Sequence, residues 1–175
     1  MLHEKFLPEY HFAERHSIVI SAPARVIFQY ARLFSYADSW IIRTLMALRG
    51  IPKEAARGLT GLQKMGFVLL EERPGTEIIL GLVGQFWKPA GNIQKVLPEE
   101  FKEIENPAFA RTTWNVLIEE SNGACLVTTE TRIQCMSEKT RTSFGRYWKM
   151  IRPFSGWIRI EMLRSLKRQS ESHQL

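Results

Sequence analysis

The stretch ARTTWNVLIEESNGACLVTTETRIQC, residues 110–135, decides the fold. Two runs rich in β-branched and aromatic residues flank Asn122-Gly123, a dipeptide that readily takes the positive φ angles of a two-residue hairpin loop. Such a loop fixes the register. Ser121 pairs with Ala124, so Ile118 faces Val127, Val116 faces Thr129, Trp114 faces Thr131 and Thr112 faces Ile133. One face then collects Trp114, Val116, Ile118, Val127, Thr129, Thr131 and Ile133, and the other Thr113, Asn115, Glu119, Thr128, Glu130 and Arg132. A slip of one residue would scramble both sets, so the first set is expected to face the core and the second the solvent.

The hairpin runs directly into a helical pattern from about Ser137 to Ser170, with an apolar stripe at Phe144, Trp148, Ile151, Ser155, Ile158, Met162 and Leu166. Spacings of three and four place these residues on one core-facing side. Pro153 removes a backbone hydrogen bond and Gly156 follows it, which predicts a kink. Trp157 points away from the stripe on an unbroken helix and is either exposed or carried inward by the kink. From Ser137 onward nine cations stand against three anions, an excess equal to the +6 of the whole chain. A basic helix of this kind suits nucleic acid, anionic lipid or an acidic partner, or is simply a solvated helix back. No DNA-recognition motif accompanies the charge, so nucleic acid is not the expected partner.

Upstream, Glu14 to Ile20 alternates with His16, Ile18 and Ile20 on one face, the period of a half-buried strand. Pro23 suits the start of a helix through Val26, Ile27, Tyr30 and Leu33, and Asp38 or Ser39 can cap a second helix over Trp40–Arg49. Residues 53–64 read as a loop or frayed helix. Phe67–Glu72 and Thr76–Val83 are expected strands, joined by a type II turn with Pro74 second and Gly75 third. A further strand is expected through Gln85–Trp87 or Asn92–Val96, then a helical turn at Pro98–Phe101. Gly81 and Gly84, inside a strand pattern, read as a sharp bend of the sheet.

A strand, two short helices, a run of antiparallel strands and a long closing helix form the helix-grip order. In this the chain resembles the START and Bet v 1-like superfamily, also known as SRPBCC or polyketide cyclase/dehydrase-like. The likeness is carried by Ser17-Ile18-Val19-Ile20-Ser21-Ala22-Pro23-Ala24-Arg25-Val26-Ile27 and, as in an uncharacterised bacterial branch, by Phe144-Gly145-Arg146-Tyr147-Trp148 through Pro153-Phe154-Ser155-Gly156 to Ile158-Arg159 and Leu163. The resemblance implies an α+β helix-grip fold, a curved antiparallel sheet of six or seven strands around a long C-terminal helix, with two short helices after the first strand. It implies one ligand-binding domain over residues 1–175, its core about residues 10–170. It also implies an apolar cavity, in which relatives hold lipids, sterols, polyketides or hormones and a minority catalyse cyclisation or dehydration.

Composition agrees with one folded domain: 175 residues, 45% hydrophobic and 24% charged. The N-terminus lacks an apolar leader, and the run Ile78–Gly84 is far below the about 18 residues that span a bilayer. A cytoplasmic location is therefore expected. Cys125 and Cys135, ten steps apart on one strand, are outside disulfide reach. Four histidines without paired ligand spacing give no support to a metal site, and neither metal nor cofactor is expected.

Trp114, Val116, Thr129, Thr131, Phe144, Trp148 and Ile151 are the expected cavity wall, aromatic and aliphatic surface with two hydroxyls to orient a ligand. The same residues also suit a solid core. His16 is the candidate for proton transfer. Glu130 and Arg132 form a candidate acid and electrophile. The register sets that pair on the solvent side, and an inverted face would make them anchors in the pocket. The leading expectation is a carrier or sensor of a small hydrophobic ligand, since no catalytic constellation is present. The alternatives are a cyclase, dehydratase or hydrolase of aromatic substrates, and a peripheral binder of anionic membrane or a partner through the basic helix and Trp40–Met46.

Overall fold

The structure, a computed structural model, describes residues 1–33, 58–88 and 91–172. The expected helix over Trp40–Arg49, and the Trp40–Met46 segment within it, lie outside the described residues. In chain order the elements are α1 (Leu2–Phe6), β1 (Phe12–Ile20), α2 (Ala24–Leu33), α3 (Gly58–Lys64), β2 (Val68–Arg73), β3 (Glu77–Gly84), a 3-10 turn (Glu100–Lys102), β4 (Ala110–Ser121), β5 (Ala124–Cys135) and α4 (Glu138–Ser172). The five strands make one antiparallel sheet in the order β1-β5-β4-β3-β2. Helix α4 lies across its inner face and packs most closely on β1 and β5, so the architecture is a helix grip.

The β4–β5 pairing matches the register set by the loop, with Trp114 opposite Thr131 and Ser121 opposite Ala124. Asn122 and Gly123 both take positive φ, 51° and 79°, as a twist-matched hairpin loop requires. Between β2 and β3, Gly75 has φ 76° and Thr76 N–H donates to the Arg73 carbonyl at 2.9 Å.

The sheet has five strands where six or seven were expected. The two further candidate segments add only a single bridge between Val83 and Gln94. Gly84, at φ 146°, ends β3, and the chain closes a turn in which Gln85 N–H donates to the Gly91 carbonyl at 2.8 Å. Gly81, expected as a bend, instead makes room: a Cβ there would come within 2.7 Å of the Phe101 ring.

The inner core joins Ile20, Ile27, Ile78, Leu80, Ile118, Val127 and Leu163. The outer face corrects the sequence expectation. Thr113, Asn115, Thr128, Glu130 and Arg132 are not solvated but buried. A second layer covers them and their neighbours, with Leu2 and Phe6 of α1 packing on Leu70, Ile79, Val83 and Phe101. Strand β3 is consequently buried along its whole length.

Burial of a polar face requires that its groups pair with one another. Arg132 Nε donates to Glu130 Oε1 at 2.6 Å, and its Nη1 meets Glu4 Oε1 of α1 at 2.7 Å. The guanidinium also stacks over Tyr10, 4.7 Å from the ring centre. Asn115 Nδ2 donates to Glu77 Oε1 at 2.6 Å, while Glu77 Oε2 accepts the Leu2 N–H at 2.9 Å. His3 Nδ1 lies 2.9 Å from the Thr113 hydroxyl, and its Nε2 is buried without a partner. Helix α1 is thus held by polar contacts as much as by Leu2 and Phe6.

Removing one member of a buried ion pair strands the other, at about 3–5 kcal/mol, whereas replacing both by apolar residues is nearly neutral. Arg132→Met is expected to lower unfolding free energy by about 3–5 kcal/mol in urea titrations, and Glu130→Leu with Arg132→Met to recover most of it. A loss below about 1 kcal/mol for Arg132→Met would place the pair in effective contact with water. Desolvation is the largest influence on His3 and holds its imidazole below the ordinary 6.5, against the nearby Glu130 carboxylate, which acts the other way. The unfolded chain therefore takes up this proton first as pH falls, and the stability tied to neutral His3 is intact above 6.5 and drains away below it. The drop in urea midpoint between about pH 7.5 and 5.5 should be smaller in His3→Gln than in the unaltered protein; equal drops would exclude His3 as the source.

Candidate functional site

An apolar pocket opens between the sheet and the helices, lined by Ala31, Leu59, Leu62, Ile78, Leu80, Trp114, Asn115, Val116, Met162 and Leu166. Each wall follows from local periodicity. Ile78 and Leu80 alternate on β3, Trp114 and Val116 alternate on β4, and Met162 and Leu166 are one turn apart on α4. Among the described residues Asn115 is the one polar member of the lining, and its side chain turns to the outer face, where it donates to Glu77. The cavity volume is about 30 Å³, measured at the centres of water-sized molecules, within about 460 Å³ of empty space that includes the open mouth. That volume has room for about two waters.

Trp114 is fixed by a chain of hydrogen bonds on the inner face. Its indole N–H donates to the Thr129 hydroxyl at 2.7 Å, and that hydroxyl donates to the Asn115 carbonyl at 2.9 Å. Arg159 Nη1 donates to the same hydroxyl at 3.3 Å, with the guanidinium 5.3 Å from the Trp114 ring centre. Thr129 therefore positions Trp114 and has no capacity left for a ligand. The Thr131 hydroxyl, opposite Trp114 in the register, is buried without a hydrogen-bond partner.

His16 is half-buried on this inner face, its Nε2 3.1 Å from Glu14 Oε1. The α4 backbone rests on the pair at Gly156, where a Cβ would lie 2.7 Å from Glu14 Oε1. Glu14 is a residue that the sequence reading passed over. The signal was its place two residues before His16, on the same face of an alternating strand.

Phe144 and Trp148 are not among the residues lining this pocket. They belong to an aromatic cluster with Phe12, Phe86, Trp87 and Tyr147 at the other end of the grip. Their rings stack at 5.8 Å with planes 25° apart, and Phe144 is fully buried. Ile151 is half-buried on α4. Trp157 is exposed, so the proline does not carry it inward. Glu130 and Arg132 point to the opposite side of the sheet, under α1, and do not meet His16 or the pocket.

Burial pushes the Cys135 thiol up to about 12 and raises Cys125 as well, so both remain protonated thiols near neutral pH. Among the described residues no group of His, Cys, Asp and Glu could hold a metal ion, and no helix is long and apolar enough to cross a membrane.

No protein-family profile matches the chain, and no curated protein matches it in sequence. Among solved structures, a Thermus thermophilus protein is similar at 10% identity, with 94% of this chain and 100% of that one covered and a TM-score of 0.40. A Deinococcus radiodurans protein shows 12% identity over 78% of this chain and 94% of its own, with a TM-score of 0.36. The Zhui aromatase/cyclase of a Streptomyces species shows 10% identity over 90% and 94%, with a TM-score of 0.33. The helix-grip arrangement stands on this chain's own sheet order and closing helix, which agree with the START and Bet v 1-like order that its sequence resembles.

Proposed function

We propose that the protein binds or transports a small hydrophobic ligand in the pocket between β3, β4 and the last third of α4. The observation that carries this reading is the lining, apolar among the described residues apart from Asn115, with a tryptophan whose ring is held in place from behind by Thr129 and Arg159. Sites for small molecules have this character, apolar surface with few polar groups. A volume of about 30 Å³ takes only the tip of a ligand, such as a terminal methyl or ethyl group, and the rest of the ligand would lie in the open part of the pocket. Lipids, sterols and aromatic polyketide-like compounds are the classes to test.

A second reading is a cyclase, dehydratase or hydrolase acting on an aromatic or polyketide-like substrate. It is favoured by the contact of His16 with the Glu14 carboxylate, an arrangement that orients an imidazole for proton transfer. Glu130 and Arg132 take no part in it.

For the first reading, fatty acids, sterols and aromatic polyketides are screened by thermal shift. A ligand at 100 times its dissociation constant adds about 2.7 kcal/mol, or about 5–10 °C in Tm at this size. Ala31→Leu, which adds bulk at a lining position, should keep the unliganded Tm and lose the shift. No shift with any compound, or the same shift in Ala31→Leu, sinks the pocket reading. For the second, turnover of an aromatic polyketide should fall by about 10²–10⁴-fold in His16→Gln with Tm unchanged; undiminished turnover excludes His16 as the acid or base.

A further inference from the structure

Helix α4 has a second face that the pocket does not use. Ten large apolar side chains are exposed among the described residues, and four of them fall within residues 150–160: Met150 at 65%, Phe154 at 45%, Trp157 at 47% and Ile160 at 37%. Scattered exposed apolar residues are ordinary, but a contiguous set is not. Met150, Phe154 and Trp157 are spaced by four and three, so they align along one side of the helix. Their side is opposite the one that buries Phe144, Met162 and Leu166.

Cations bracket this ridge. Arg146 and Lys149 precede it and Arg164 and Arg168 follow on the next turns, whereas Arg152 falls on the opposite side of the helix. Arg164 is paired with Glu161 at 2.7 Å. Arg146, Lys149, Arg152 and Arg168 are exposed and have no ion pair among the described residues. The helix contributes the whole net positive charge of the chain.

We propose that this outer face of α4 docks on an anionic lipid bilayer, lying in the interface plane with Met150, Phe154 and Trp157 inserted and the cations at headgroup level. Two features favour a bilayer over an acidic protein. The apolar side chains stand out from a convex helix as a ridge, and a fluid interface accepts a ridge without a preformed groove. Arg146, Arg164 and Arg168 fall on the same side of the helix as the ridge and Lys149 at its edge, where each can meet a headgroup while a neighbouring ring or thioether enters the acyl boundary. Each added cation near an anionic surface strengthens partitioning by roughly fivefold. The surface is separate from the pocket, and the proposal holds whatever the cavity binds.

The test uses the full chain and vesicle co-sedimentation. Vesicles of phosphatidylcholine with about 30% phosphatidylserine should bind at least tenfold more protein than phosphatidylcholine alone, and about 0.5 M salt should remove most of that difference. Phe154→Ser with Trp157→Ser, both exposed and so tolerated by the fold, should cut binding about tenfold with circular dichroism and Tm unchanged. Ala31→Leu should bind as the unaltered protein does, which separates this outcome from the fate of the pocket reading. Equal binding to neutral and anionic vesicles, or full binding by the double variant, overturns the proposal. So does an absence of vesicle binding together with a self-associated species that the double variant dissolves, which would make the ridge a contact between copies of the chain.

Discussion

The rest of the structure depends on the register of β4 against β5. Asn122 and Gly123 take the two positive φ angles that let a loop of two residues join strands with matching twist. Every pairing up to Ala110 with Cys135 follows from that closure. Because successive side chains alternate, the same loop sends Trp114, Val116 and Thr129 to the helix side and Thr113, Asn115 and Glu130 to the other. A slip of one residue would turn one strand over relative to the other, putting either Glu130 and Arg132 against α4 or Trp114 under α1, so that the pocket and the buried ion pair could not both form.

Both sides of the central strands are buried, by different chemistry. The inner side is filled by aliphatic and aromatic contacts, which are tolerant of small shifts in position. The outer side is a set of directed bonds among His3, Glu4, Glu77, Asn115, Glu130 and Arg132. Directed bonds at 2.6–2.9 Å admit only one placement of α1, so this network specifies where the N-terminal segment sits even though a buried ion pair adds little net stability over apolar packing. Gly81 serves the same layer by letting Phe101 approach the sheet.

What the sequence disclosed and what it concealed separate along one line. Local periodicity was legible: the hairpin register, the turn at Pro74-Gly75, the stripe on α4 and the first strand all appear as spacing. The covered outer face was not, because Thr113, Asn115, Thr128, Glu130 and Arg132 have the composition of a solvated face. The cover itself is a helix of five residues, in which only Leu2 and Phe6 mark an apolar side. The bond from His3 to Thr113 spans 110 residues, a separation that no periodic pattern signals. For the site, Trp114 and Val116 were readable from alternation. Their grouping with Leu59, Leu62, Ile78 and Leu80, rather than with Phe144 and Trp148, depends on how α3 and β3 approach in space.

Helix α4 meets the sheet in three successive zones, and their order explains how a pocket survives in a packed fold. The first zone, around Phe144 and Trp148, is a cluster of six aromatic rings that clamps the helix to β1 through Phe12 and to the segment after β3 through Phe86 and Trp87. The second is polar: Gly156 lies on Glu14 and His16, and Arg159 reaches Thr129. Here the absence of a side chain at position 156 lets the helix backbone rest directly on this pair. The third, at Met162 and Leu166, borders the pocket. Close packing normally eliminates voids, because each lost contact is an energetic loss. With the first two zones holding the helix at a fixed height, its last third cannot sink onto β3 and β4 without breaking contacts in the middle zone. The pocket is therefore a consequence of the clamp and the spacer upstream of it, and a ligand there would restore the contacts that its walls lack.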